Sequence, residues 1–461
     1  MVQTINLLDE RRHPLQVIWY LAWPILIEQF LLTCVQYADT AMVGVIGPSA
    51  TASIALSASV TWMVNGLFTG LAIGFAVLVG RYIGAGDPEG AKRVTVQAVF
   101  AILAVGGVLT VIVVIVAQFL PAWMGAEQAI RADGTAFLTI VGSGYVFNCA
   151  QVVCSNLLRC AGDTRTPLFY NLLTNVINVI LLLFLIFEPR DAVILGHTVH
   201  VWGAGLGVRG AAIGSLTAVA VTSLLLMRKL VFGGTILNLR GFGHVRLEKP
   251  IWRDAFSYGL PVTLERITIN GGQIVLTGLV TSIGTAALAA HQYATTAESM
   301  AYMPMFGFAT AATALVSQSL GAGNYKLARR FGDWSLWGGT GLMFFLAAAL
   351  YAFAPRLVAL FTDVPEVIAM GGGVLRIEAF AEPFFAIATI VFGTLRGSRD
   401  SRFAAIAGMV GMWVVRLPLA FLLVKFTDLG LYCIWIAMAC DLFIRAVIAF
   451  IRYSRYRWTE A

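Results

Sequence analysis

Charge is what this sequence has least of. Asp, Glu, Lys and Arg make up only 12% of its 461 residues, and five histidines add little. A soluble domain carries about 25% charged residues, so a soluble chain of two or three domains is excluded. Nucleic-acid binding is excluded with it, because no basic stripe lies on a soluble domain. The six cysteines (Cys34, Cys149, Cys154, Cys160, Cys433, Cys440) sit within or beside apolar segments. They show no CxxC or Cys/His spacing, so they read as small hydrophobes and not as zinc ligands. Gly84-Ala85-Gly86 is followed by no GKS/T and preceded by no strand, so it is a tight turn and not a nucleotide loop. No Walker motif supports an ATP-driven pump. No HExxH, paired-Asp or Ser/His constellation supports an intramembrane enzyme.

What is present is apolar length. Hydrophobic residues are 59% of the chain and the mean hydropathy is +0.83, values of a polytopic membrane protein. Charge and turn clusters separate twelve expected spans, near 15–44, 52–80, 94–120, 132–158, 165–187, 207–229, 255–282, 287–318, 331–354, 366–395, 403–425 and 430–452. The first is too long for a signal-peptide core and is read as a retained span. With the N-terminus placed in the cytoplasm, 23 of the 31 Lys and Arg fall on that side, 6 on the other, and Arg266 and Arg416 within spans. That bias orients the chain with both termini cytoplasmic. A multi-pass protein of the plasma (inner) membrane is expected.

The chain also repeats itself. At a fixed shift of 237 positions, Pro24 and Glu28 fall on Pro261 and Glu265, and Gly84-Ala85-Gly86 on Gly321-Ala322-Gly323. Leu158-Arg159 falls on Leu395-Arg396, and Asp163 with Arg165 on Asp400 with Arg402. The register breaks after the fifth span, where residues 188–206 lengthen the first outer loop; beyond it Gly207 matches Gly430. Six spans per half return the chain to the same side, so the halves are parallel repeats, a transporter architecture. The expected division is an N-lobe at 1–229, a cytoplasmic linker at 230–254 and a C-lobe at 255–461.

These signatures resemble the multidrug and toxic compound extrusion (MATE) family. Trp23-Pro24 with Asp39-Thr40-Ala41-Met42-Val43-Gly44, the Gly84 turn, Arg159 through Arg165, and Gly207 through Ala212 carry the likeness in the first half. Ala289-Ala290-His291-Gln292, Gln318 through Gly323, Leu395-Arg396-Gly397 and Arg416-Leu417-Pro418-Leu419 carry it in the second. The resemblance implies an all-α membrane protein of twelve helices in two six-helix lobes around a central cavity. It implies export of bulky, often cationic or amphipathic organic compounds against inward H+ or Na+, with no further cofactor. In the branch named for DNA-damage-inducible F protein, which this chain is closest to, the first-helix Asp is the coupling acid, and Asp39 stands there. Two departures exist. The fifth-helix acid of that branch is replaced by Leu182. The seventh-helix Glu of the sodium-coupled branch is replaced by Ile269, with Glu265 one turn earlier, while its tenth-helix Asp appears as Asp400.

Asp39 is about 30 Å along the helix from Trp19, in the outer part of the membrane. Either it bonds the following turn as a rim residue, or it takes up a proton from outside and releases it inside. Asn171, Asn175 and Asn178 form one stripe of the fifth helix. They serve interhelical bonding or, with Ser215, assist Asp39. Glu28 and Glu265, each four residues after a matched proline, either bond backbone freed by that proline or attract drug. Met63 and Met300 are candidate cavity residues, since Met adapts to varied partners. Glu298, Glu378, Glu382 and Asp441 are expected in buried pairs, for example with Arg416, and His291 in a helix contact. Proton-coupled export through Asp39 is preferred over Na+ coupling. A lipid-linked precursor flippase of the same superfamily is disfavoured, because its relatives have fourteen spans and a basic cavity. The chain is expected to act as a monomer, in contact with membrane lipid and small organic cations.

Overall fold

Among the described residues there are twelve long helices. They are α1 (Pro14–Gly44), α2 (Pro48–Gly84), α3 (Pro88–Ala117), α4 (Gln128–Ser143 and Tyr145–Cys160), α5 (Arg165–Leu185) and α6 (Gly207–Phe232), then α7 (Lys249–Ile283), α8 (Thr285–Gly321), α9 (Tyr325–Ala359), α10 (Pro365–Gly397), α11 (Ser401–Phe426) and α12 (Leu431–Ser454). The computed structural model describes residues 7–46, 48–123, 128–194, 197–240, 243 and 246–458. Side chains are described there except at 36–41, 43–44, 48–49, 51–52, 55–56, 58–59, 129, 190–194 and 197–201. Among the described residues, nine helices are long and apolar enough to cross a membrane, and α4, bent by 48° at Gly144, makes a tenth. The other two, α7 and α10, have 35 and 33 residues and carry the buried Glu265, Glu378 and Glu382. The long outer loop of the first half contains a two-stranded hairpin, β1 (Arg190–Ile194) against β2 (His197–Val201).

The repeat seen in the sequence is a repeat of local geometry. Gly86 and Gly323 take φ of +70° and +69°, the left-handed region that a Cβ disfavours. Each is followed by a capping residue at matched positions. Asp87 accepts a bond from Gly90 N at 2.8 Å to start α3, and Asn324 one from Leu327 N at 3.0 Å to start α9. No described atom lies within 4 Å of a Cβ built on either glycine. Gly86→Ala and Gly323→Ala should therefore each cost about 1–2 kcal/mol, the price of left-handed backbone alone. Thermal unfolding in detergent measures it, and a neutral result at either would contradict the turn.

Packing within the halves also repeats. Helix α5 lies on α1 and α6 as α11 lies on α7 and α12, and α4 lies on α2 as α10 lies on α8. Between the halves, α2 meets α7 and α8 while α1 meets α8. This seam is made of small residues, which let helix backbones approach closely in lipid. A Cβ on Gly70 would stand 2.7 Å from Gly259 O, and one on Gly307 3.3 Å from Ala22 O; both residues of the second pair are repeat mates of the first. A Cβ on Gly84 would stand 1.9 Å from Gln318 O, and one on Gly321 2.1 Å from Arg81 O. These contacts tighten toward the end of the bundle that holds both termini, called here the terminal face. One apolar core is shared by both halves on that side, including Phe75, Leu158, Leu315 and Leu395. Toward the opposite face the halves have separate cores, one around Leu276, Val358 and Trp435 and one around Leu182 and Ala211. The bundle is sealed at one end and parted at the other.

Candidate functional site

Asp39 lies on α1, eleven residues beyond Glu28, about 16 Å further along the helix. Its side chain lies outside the described residues. The three asparagines of α5 are all buried, as their common stripe predicts. Asn171 Nδ2 donates to Glu28 Oε1 at 2.5 Å and its Oδ1 accepts from Gln151 Nε2 at 2.6 Å. Gln151 also donates to Thr174 Oγ1 at 2.9 Å, and Thr174 shares a 2.7 Å bond with Thr222. A polar chain thus crosses the first half from α1 through α5 and α4 to α6. Asn175 and Asn178 follow on the same stripe, and Ser215 on α6 is half-buried. Leu182, in the place of the branch's acid, is 1% exposed and packs with Ala50, Ile186, Val208 and Ala211. That corner is apolar.

Glu28 and Glu265 each take an arginine. Glu28 pairs with Arg159 Nη2, and Glu265 receives Arg396 Nη2 on both oxygens, at 2.9 and 2.7 Å. Glu28, Arg159 and Glu265 are buried and Arg396 is largely so, its side chain 12% exposed, and the two pairs occupy matched positions of the repeat. Each reaches from α1 to α4, or from α7 to α10, between helices that are not closely packed on each other. The surroundings differ at one point. The repeat mate of Asn171 is Gly408, and a Cβ on Gly408 would already stand 3.2 Å from Glu265 Oε1. Among the described residues Arg396 is therefore the hydrogen-bond donor that Glu265 has, with Arg266 and Arg445 as further positive neighbours. These pairs favour the structural reading of the two acids, with the arginine and not proline-freed backbone as partner.

Met63 and Met300, also repeat mates, are 44% and 47% exposed. Met303, three residues beyond Met300 on α8, is used in packing, its sulfur accepting from Thr33 Oγ1 at 3.3 Å. His291 is buried with its ring edge-on to Trp435 at 5.7 Å, a helix contact. Asp163 caps α5 through Thr166 N at 2.9 Å, and its mate Asp400 pairs with Arg452 at 2.7 Å.

The second half holds a constellation that residue-by-residue reading misses. Glu298 of α8 and Glu378 and Glu382 of α10 are buried and are electrostatic neighbours. Beside them Asp441 of α12 is fully buried between Arg416, at 2.8 Å, and Arg445. Arg416 closes a π-helical turn, Gly411–Arg416, of a kind frequent at functional sites. Among the described residues, no hydrogen bond reaches either carboxylate oxygen of Glu378 or Glu382. The corner therefore has four carboxyl groups and two guanidiniums. Charge in a low-dielectric interior must be matched, so an excess of two carboxyl groups calls for cations or protons. The described residues of the first half have nothing equivalent: the mates of Glu298 and Glu382 are Thr61 and Tyr145, which share a neutral 3.2 Å bond. The available signal is the four-residue spacing of Glu378 and Glu382, which puts them on one helix face.

A doubled bundle of twelve helices, sealed at one end, with buried ionisable groups inside each half, defines a secondary membrane transporter. Comparison with known proteins agrees. The MatE family model matches the chain twice, over residues 24–184 and 261–422, which begin at the same shift as the repeat. The chain belongs to the MatE family of multidrug-efflux (MATE) transporters and is a transporter, not an enzyme. It is 28% identical over 447 residues to a probable multidrug resistance protein NorM of Thermotoga maritima, covering 95% of this chain and 92% of that protein. It is 24% identical to the uncharacterized transporter YisQ of Bacillus subtilis, over 95% and 94%. Among solved structures, an outward-facing MATE-family multidrug resistance transporter of the MOP superfamily superposes with a TM-score of 0.90 at 22% identity, 98% of each chain covered. A MOP-superfamily transporter from Pyrococcus furiosus gives 0.88 at 23%, again over 98% of each chain. These two likenesses show the fold.

Proposed function

We propose that the protein exports organic, often cationic or amphipathic compounds in exchange for an inward cation, with protons preferred and Asp39 as coupling acid. The carrying observation for cation coupling is the carboxyl excess around Glu298, Glu378 and Glu382, which a mobile positive charge balances. Asp39 is proposed from its place on α1 and its family position, with Asn175, Asn178 and Ser215 as its partners. A proton on Asp39 removes the charge that favours a cationic drug, so proton and drug exclude one another. The name of the relative, a probable multidrug resistance protein NorM, supports the cargo class. The terminal face is proposed to be cytoplasmic, in the plasma membrane. The lobes 1–229 and 255–461, in a single copy of the chain, are proposed to rock about 230–254. A second reading, favoured by the same excess of carboxyl groups, places coupling in the C-lobe and admits Na+.

Reconstitution in liposomes separates these readings. A pH gradient alone is expected to drive uptake of a fluorescent cation, and Asp39→Asn to reduce it to the level of empty liposomes while the protein elutes as wild type. Transport driven by Na+ alone would overturn the proton preference. Wild-type transport by Asp39→Asn, with loss in Glu378→Gln, would move coupling to the second half.

A further inference from the structure

The repeat breaks its own symmetry where the two halves meet at the terminal face. On one side, Gln318 of α8 reaches across the seam and donates through Nε2 to Cys160 O at 2.7 Å. Beside it Gly162 turns with φ +93°, and a Cβ there would stand 3.9 Å from that same amide. Neither Gln318 nor Gly162 carries a charge, and the Gln318 amide spends a donor on this bond. The repeat mate of Gln318 is Arg81, and the mate of Gly162 is Arg399. The second corner thus carries two positive charges where the first carries none.

Neither arginine has an acid among the described residues. Arg81 Nε and Nη2 are buried and make no hydrogen bond there. Its electrostatic neighbours are Arg399, Tyr258, Tyr456 and Tyr325, all from the second half, with no carboxylate among them. Arg399 stacks on the Tyr258 ring, 5.6 Å from its centre, and holds φ +73°. It is the only non-glycine residue among the described residues with positive φ, a conformation that costs energy and recurs at functional sites. Asp400, next in the chain, is taken by Arg452, and exposed Asp254 reaches Tyr258. Two like charges facing across a seam repel, so a closed terminal face here lacks a counter-charge. A guanidinium presents a rigid fork of donors suited to phosphate oxygens. A cavity of about 520 Å³ lined by Lys249, Pro250, Arg253, Asp254 and Ser257 opens beside Tyr258 and adds two cations at the approach.

We propose that Arg81 and Arg399, with the tyrosines around them, form a binding site for a phosphate-type oxyanion that bridges the two halves when the terminal face is shut. The group comes from an anionic lipid headgroup or from soluble phosphate. Bound there, it stabilises the sealed end of the bundle.

The full chain, purified and delipidated in detergent, tests this in two arms. Inorganic phosphate is titrated by calorimetry against chloride. In parallel, retention of phosphatidylglycerol is measured by native mass spectrometry after exchange through mixed phosphatidylglycerol and phosphatidylcholine vesicles. Wild type should bind one probe saturably, and the arm that responds names the source. Arg81→Gln with Arg399→Gly should bind it about tenfold more weakly or worse, the loss of at least one charge-assisted hydrogen bond. Gln and Gly are the residues the chain itself uses at 318 and 162, so the fold should survive; Arg399→Gly alone serves if the double variant does not fold. Equal affinity in the variant, or no saturable binding of either probe to wild type, would overturn the proposal.

Discussion

Arg396→Met is expected to destabilise the protein by about 3 kcal/mol, the lower end of the range for a buried ion pair, because Glu265 loses both its hydrogen bonds but keeps the nearby charges of Arg266 and Arg445. Arg159→Met should be damaging but less so. Glu28 keeps the amide of Asn171 at 2.5 Å when its arginine goes, whereas Glu265 faces Gly408 and among the described residues keeps no hydrogen-bond donor, only the charges of Arg266 and Arg445 beyond ion-pair distance. Replacing both members, as Glu265→Gln with Arg396→Met, should recover much of the loss, since a neutral pair of similar volume is often tolerated. Denaturation in detergent gives the four stabilities of each cycle. A double variant no better than Arg396→Met, or equal losses at the two sites, would contradict the proposed difference between the halves.

The second large effect concerns the seam. Gly84→Leu and Gly321→Leu are expected to hold the terminal face open and stop transport, because each Cβ would overlap a backbone carbonyl of the opposite half. No side-chain rotation relieves such an overlap, so α2 and α8 must separate. Cys160 reports on it: its carbonyl accepts the bond from Gln318 across this seam, and it is 4% exposed. In a background with Cys34→Ser and Cys440→Ser, which removes the exposed and the half-buried thiol, maleimide should label Cys160 rapidly in either leucine variant and slowly without them. Gly86→Ala, with open space around its Cβ, should leave labelling slow. Slow labelling in Gly84→Leu would show that the seam has room the structure denies.

Much of the architecture is legible in the order of residues. Apolar length marks the helices, and the shift of 237 implies matched turns, caps and ion-pair positions down to Gly86 and Gly323. The expectation that Arg416 pairs with a buried acid is met by Asp441. The partners of Glu28 and Glu265 are present in the sequence as repeat mates, Arg159 and Arg396, yet nothing local joins acid to base. Each pair links residues 131 positions apart, and no local periodicity reports a contact at that range. Glu298 stands alone in the sequence for the same reason. Its significance lies in Glu378 and Glu382 on another helix, and only the packing of α8 on α10 brings them together.

The solvent this chain folds in, the number of its helices and the doubling of its plan are all set by residue order. They follow from hydrophobicity and from periodicity along one chain, which local physics reads directly. Which charges meet one another is a matter of tertiary packing: Glu298 with Glu378 and Glu382 where the other half brings together neutral Thr61 and Tyr145, and Arg81 with Arg399 where it brings together Gln318 and Gly162. A buried charge has meaning only through what stands opposite it in a medium that screens poorly, and what stands opposite is set by how the helices pack.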